Sequence, residues 1–79
     1  MNMEIKNFIE RFAEQFDDTP VEDLSANVKF KELDEWSSLI ALSVIAMVDE
    51  EYDVTLVAAD IRNAETIEDL FITVQSKLS

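Results

Sequence analysis

Seventy-nine residues make one small domain, spanning 1–79, with room for a modest core. The chain has no Cys, no His and no Gly, which removes thiolate and imidazole catalysis, the usual zinc ligands, disulfide staples and the glycine turns of phosphate-binding loops and EF-hands. Eighteen acidic residues against 6 basic ones give a net charge of −12, a surface that repels nucleic acid and anionic membrane and attracts basic patches on other proteins.

A hydrophobic content of 48% argues for a packed fold rather than acidic disorder. No apolar run reaches membrane-spanning length and no basic-then-apolar leader opens the chain, so a cytoplasmic location is expected. With the thiolate nucleophile, the imidazole base and the usual zinc ligands missing, an enzyme acting alone is not expected either.

The first helix is expected from about Met3 to Phe16. Ile5, Phe8, Ile9, Phe12 and Phe16 share one helical face, while Glu4, Asn7, Glu10, Arg11 and Glu14 take the other. Asp17-Asp18-Thr19-Pro20 ends it, because proline cannot continue a helix interior. From Asp17 to Trp36 no period holds. Val21, Leu24, Val28, Phe30 and Leu33 stand apart among charges, as in a long loop tied to a core by separate anchors. Trp36 reads as a further anchor or as part of a docking surface, and the buried ring is the commoner use.

A second helix is expected from about Ser38 to Tyr52. Its core face would collect Ala41, Leu42, Val44, Ile45, Val48 and Tyr52, and its outer face Leu39, Ile40, Ser43, Ala46, Met47 and Glu50. That outer face is apolar where a surface helix normally turns charge to water. Either the helix is buried on both sides, or it shows apolar surface to a partner, and so small a chain has few elements to cover it.

Ala58-Ala59-Asp60-Ile61-Arg62 follows as one or two helical turns. A last helix then carries Ile67, Leu70, Phe71, Val74 and Leu78 on one stripe, with Thr66 as its cap and Asp69 as the reciprocal acid. Lys77 suits the negative end of that helix. The fold expected is all-α: a small up-and-down bundle of three main helices and one short helix, with a long loop between the first two.

The stretch Glu35-Trp36-Ser37-Ser38-Leu39, the apolar helix behind it, its acidic end Asp49-Glu50-Glu51-Tyr52-Asp53 and the closing segment Thr66-Ile67-Glu68-Asp69 together resemble the acyl carrier protein family across nearly the whole chain. The most specific part is the Ser38-Leu39 pair at the family's distance from Glu50-Glu51-Tyr52-Asp53. The resemblance implies that Ser38 carries 4′-phosphopantetheine, moved onto its hydroxyl from coenzyme A by a phosphopantetheinyl transferase, and that the arm holds acyl groups as thioesters. A helix start suits such a phosphodiester, since free N–H groups and the helix dipole favour negative charge there.

The implied partners are acyl-synthesis and acyl-transfer enzymes, of fatty acid or related acyl assembly, with basic docking patches. Leu39, Ile40, Ala46, Met47, Glu50 and Glu51 would meet them, with the carrier itself a monomer. There are two departures from the family. Ser37 stands where an aspartate usually precedes the modified serine, which leaves Ser37 itself as another acceptor, and Ile40 and Ser43 replace acids on the exposed face.

Other readings stand beside this one. Serine is a favoured N-cap, so Ser38 has a purely structural use. The chain could be a peptidyl or other specialised carrier, or an unmodified acidic helical adapter working through the same apolar face. A weak divalent-cation site at Asp49, Glu50, Glu51 and Asp53 is the remotest reading, since a solvated acidic helix end explains them and no glycine turn is present.

Overall fold

The structure, a computed structural model, describes residues 4–78. Four α-helices follow one another: α1 (Ile5–Ala13), α2 (Ser38–Tyr52), α3 (Ala58–Asn63) and α4 (Ile67–Leu78). No strand occurs among the described residues, and the fold is the expected small up-and-down helical bundle. The radius of gyration is 11.3 Å, against about 11.6 Å for a packed chain of this length, so the long connection lies against the body.

α1 is the hub. It packs against both α2 and α4, as its one-sided pattern requires. Phe8 and Phe12 are fully buried. Phe8 meets Tyr52 of α2 at 6.0 Å and Phe71 of α4 at 5.5 Å between ring centres. Phe12 faces the loop instead, touching Phe16 and Phe30 at 5.5 Å and stacking on Trp36 at 6.4 Å. Such ring pairs add about 0.5–1.5 kcal/mol each beyond the area they bury.

α1 ends sooner than proline alone would dictate. Beyond Ala13 the chain tightens into i+3 bonds, Gln15 N–H to the Phe12 carbonyl and Phe16 N–H to that of Ala13, which keep Phe16 buried while the backbone turns away. Met3, expected in this helix, lies outside the described residues.

The loop contains two single 3₁₀ turns, Val21–Asp23 and Phe30–Glu32, too short to appear as a sequence period. Leu24 and Phe30 are buried anchors, and Val28, Leu33 and Trp36 pack on the core from its edge; Val21, by contrast, is largely exposed. The loop also completes another helix. The N–H groups of Ile67 and Glu68, which α4 cannot satisfy itself, donate to the carbonyls of Val28 and Ala26 at 3.2 and 2.8 Å.

α4 opens with the expected reciprocal cap. Asp69 N–H donates to Thr66 Oγ1 at 3.1 Å, and the Asp69 carboxylate accepts from the N–H groups of Glu65 and Thr66, both at 3.1 Å. These bonds hold the Asp69 carboxyl below its ordinary value, against a smaller push from desolvation. Ile67, Leu70, Phe71 and Val74 fill the core, while Leu78 at the helix end is largely exposed. At the start of α3 the Asp60 carboxylate accepts the Val57 N–H at 3.0 Å and pairs with Lys77 of α4 at 3.5 Å.

α2 stops at Asp53, whose φ of 56° lies in the left-handed region. Glycine usually takes this post, and aspartate is among the few substitutes that tolerate it in a chain without glycine.

Candidate functional site

The residues around the start of α2 are held one after another by different forces. Glu35 comes first. Its carboxylate accepts the N–H groups of Asp17 at 2.6 Å, Asp18 at 3.1 Å and Thr19 at 3.0 Å, and the Thr19 hydroxyl at 2.8 Å. Desolvation pushes this carboxyl up, but the Thr19 hydroxyl and the three backbone donors outweigh it and leave its pKa below the ordinary value. Bonds from several donors to one ionised acceptor are short and strong, so the beginning of the loop is tied to its end.

Trp36 comes next, half-buried and wedged among Phe12, Phe16 and Phe30, with the Phe30 ring edge-on at 4.9 Å. It is the anchor expected of a buried ring. Ser37 then caps the helix: its backbone is extended and its Oγ accepts the Ile40 N–H at 3.3 Å, while its carbonyl takes the Ala41 N–H at 2.9 Å.

Ser38 is the first residue inside the helix and is exposed. With Ser37 capping, the Ser38 hydroxyl has no capping duty. It has no hydrogen-bond partner among the described residues, nor do the N–H groups of Ser38 and Leu39. No acid lies in the first turn of α2. An anion attached at Ser38 Oγ would therefore meet two free backbone donors and the positive end of a 15-residue helix, with no carboxylate in that turn to oppose it. The residues present fit a phosphodiester.

Along α2 the structure corrects the assignment of faces. Met47, expected on the outer face, is buried with 5% exposure beside Val44 and Val48, and Ile40 is half-buried against the core. Leu42, expected inside, is 63% exposed, and Leu39 is 72% exposed. The reason is the composition of the helix. From Leu39 to Val48 both sides are apolar, so periodicity selects no face, and the positions of α1 and α4 decide which residues turn inward. The outward stripe is Leu39, Leu42 and Ala46, and at helical spacing it continues into Asp49, Glu50 and Asp53. Ser38 thus borders an apolar patch that gives way to acid towards the far end of the helix, about 18 Å from Ser38 at Glu50.

Glu50 is exposed and free of any ion pair among the described residues. Glu51 points elsewhere, pairing with Arg11 Nε at 3.5 Å, and Arg11 also reaches Glu14 at 3.3 Å. Both pairs are exposed and worth about 0–1 kcal/mol. Beside them Tyr52 has its hydroxyl pKa raised by burial, which outweighs the opposing charge of Arg11 and is helped by the smaller effect of Glu51. Among the described residues no group of acids has the geometry of a metal site.

Sequence reading found Ser38, Leu39, Ala46 and Glu50 where the structure shows them exposed along one side of α2. It placed Leu42 on the wrong face, and it named Glu35 beside the serines without giving it a role. Compared with models of known families, with curated proteins and with solved structures, the chain has no match.

Proposed function

We propose that this protein is an acyl carrier, with Ser38 as the attachment point of a 4′-phosphopantetheine arm. One observation carries the reading: Ser37 takes the capping role, which leaves the adjacent Ser38 exposed, unbonded and in the first turn of an acid-free helix start. The same arrangement favours Ser38 over Ser37 as the acceptor, because the Ser37 oxygen already serves the Ile40 N–H.

Among the described residues no base bonds the Ser38 hydroxyl, so the reading assigns loading to a separate transferase. In that step Ser38 Oγ bonds to the β-phosphorus of coenzyme A and the pyrophosphate P–O bond breaks. Adenosine 3′,5′-bisphosphate leaves, and the hydroxyl proton passes to a base of the transferase. When bound, the arm supplies the thiol that this Cys-free chain lacks, on which acyl groups ride as thioesters.

The chain's own residues would do the rest. The free N–H groups of Ser38 and Leu39 would hold the phosphate, and Leu39, Leu42 and Ala46 would give short-range contact to a partner enzyme of acyl assembly. Asp49, Glu50 and Asp53 steer basic patches towards that contact from a distance.

The test is intact mass before and after incubation with coenzyme A and a broad-specificity phosphopantetheinyl transferase, with fragmentation to locate the change. The expected result is a gain of one arm at Ser38, lost in Ser38→Ala while the helical spectrum is unchanged. No gain with several transferases on a folded chain would overturn the reading.

The exposed Leu39–Leu42 patch supports a second reading, an unmodified acidic adapter that grips a partner through α2. That reading expects Ser38→Ala to bind the partner as the wild type does, and Leu42→Asp to abolish binding.

A further inference from the structure

The three residues preceding Ser38 are each immobilised by a different means: a carboxylate bonded to three backbone N–H groups, an indole within three aromatic rings, and a capping hydroxyl. Ser38 Oγ is the first side-chain group after them that nothing holds. Trp36 and Ser37 have ready structural explanations, in core packing and in helix capping. Glu35 has neither. It lies at the surface of a chain carrying 18 acids, caps no helix, and pairs with no cation among the described residues.

What Glu35 does is close the loop. It draws Asp17, Asp18 and Thr19, just past the end of α1, onto the backbone three residues ahead of Ser38. Asp18, Asp23 and Asp34 line the same shallow cleft, and their like charge disfavours this closure unless the N–H donors compensate it.

We infer that Glu35 is a positioning residue for Ser38, its carboxylate latch on Asp17–Thr19 fixing the direction in which the serine hydroxyl meets the transferase. The inference rests on the carrier reading. It adds a residue in the loop, outside α2, on which loading depends. A transferase must bring Ser38 Oγ in line with a phosphorus atom, and such an alignment is sensitive to displacements of an ångström or so. With the latch open, Trp36 and Ser37 still hold the start of the helix, but Asp17–Thr19 are no longer tied beside it and the surface around Ser38 loses its fixed shape.

The experiment measures loading of the full chain by intact mass, at varied protein concentration, with coenzyme A and the transferase. The variants are Glu35→Gln, Thr19→Ala and, as a control for stability alone, Val74→Ala in the buried face of α4. The positioning role expects Glu35→Gln to lower kcat/KM by about tenfold or more, chiefly through kcat, at a temperature where the chain remains folded. Thr19→Ala, which removes one donor from the latch, should show a smaller loss in the same direction. Val74→Ala, though less stable, should load like the wild type.

Equal loading of Glu35→Gln and wild type overturns the inference, and so does a loss matched by Val74→Ala. If Glu35→Gln does not fold, Thr19→Ala decides alone, and its loading at the wild-type rate overturns the inference. Failure of the wild type to load sinks the carrier reading itself. In that case faster amide exchange at Asp17, Asp18 and Thr19 in Glu35→Gln still reports the latch, separately from any loading.

Discussion

α1 and α2 are both helices of one small core, yet they distribute their apolar residues in opposite ways. α1 places Phe8 and Phe12 fully inside and gives its other side to Lys6, Asn7, Glu10 and Arg11. α2 buries Val44, Met47 and Val48 and still leaves Leu39 and Leu42 in water. Burial of a large aliphatic side chain is worth about 1.5–3 kcal/mol, so exposed leucines contribute little to folding and are not needed by the core that α2 serves. The first helix answers to the fold alone. The second answers to the fold on one side and leaves an apolar stripe ending in acid on the other, the surface that the proposed carrier would offer to a basic partner.

Three measurements would break or sharpen this contrast. The largest effect belongs to Phe12→Ala, which removes the ring joining α1 to both ends of the loop. A loss of about 3–5 kcal/mol is expected by chemical denaturation, enough to unfold a domain of this size. A loss under 1 kcal/mol would deny α1 its role as hub.

Next comes the pair that separates the two sides of α2. Met47→Ala should cost about 2–5 kcal/mol, whereas Leu42→Ala should stay within about 0.5 kcal/mol and affect only partner binding. Similar costs at the two positions would mean that α2 has no free side.

The smallest effect concerns Glu35. Its folded-state pKa is lowered, so between that value and the ordinary carboxylate value, roughly 4.3, the unfolded chain binds more protons. Its stabilisation is therefore complete above the ordinary value and lost as pH falls through the lowered one. The stability difference between wild type and Glu35→Gln should shrink over that interval. Taking the difference cancels the similar behaviour of Asp69 and the relief of self-repulsion as the other acids protonate. A difference that ignores pH would mean that the latch does not favour the ionised form of Glu35.

The parts of this fold legible in the sequence are those where one face or one short motif carries the information. The Phe8–Phe12–Phe16 stripe and the Thr66–Asp69 cap are local, and the structure has both as expected. The range of α2 was legible as well, because Ser37 and Ser38 open it and Asp53 closes it. Its orientation was not, since a run of apolar residues on every side gives no period to read.

Glu35 escaped for a different reason. A carboxylate that bonds backbone N–H groups needs no particular partner residue, so nothing in the sequence marks the connection to Asp17–Thr19. The identity of the serine lies between these cases. Two adjacent serines were equally suited to capping, and only the backbone geometry gives that task to Ser37.

The carbonyls of Ala26 and Val28, which receive the first N–H groups of α4, bear on how the molecule comes apart and together. The last helix cannot be finished from its own neighbourhood in the chain. During synthesis it emerges after the loop, and its opening turn is completed only when that loop is already in place. The dependence runs the other way too, so the loop cannot lift like a lid without giving up the bonds that finish the first turn of α4. The stretch least like regular structure is therefore bound into the cooperative unfolding unit, and a proteolytic cut within it would loosen the end of the protein farthest from the cut in sequence.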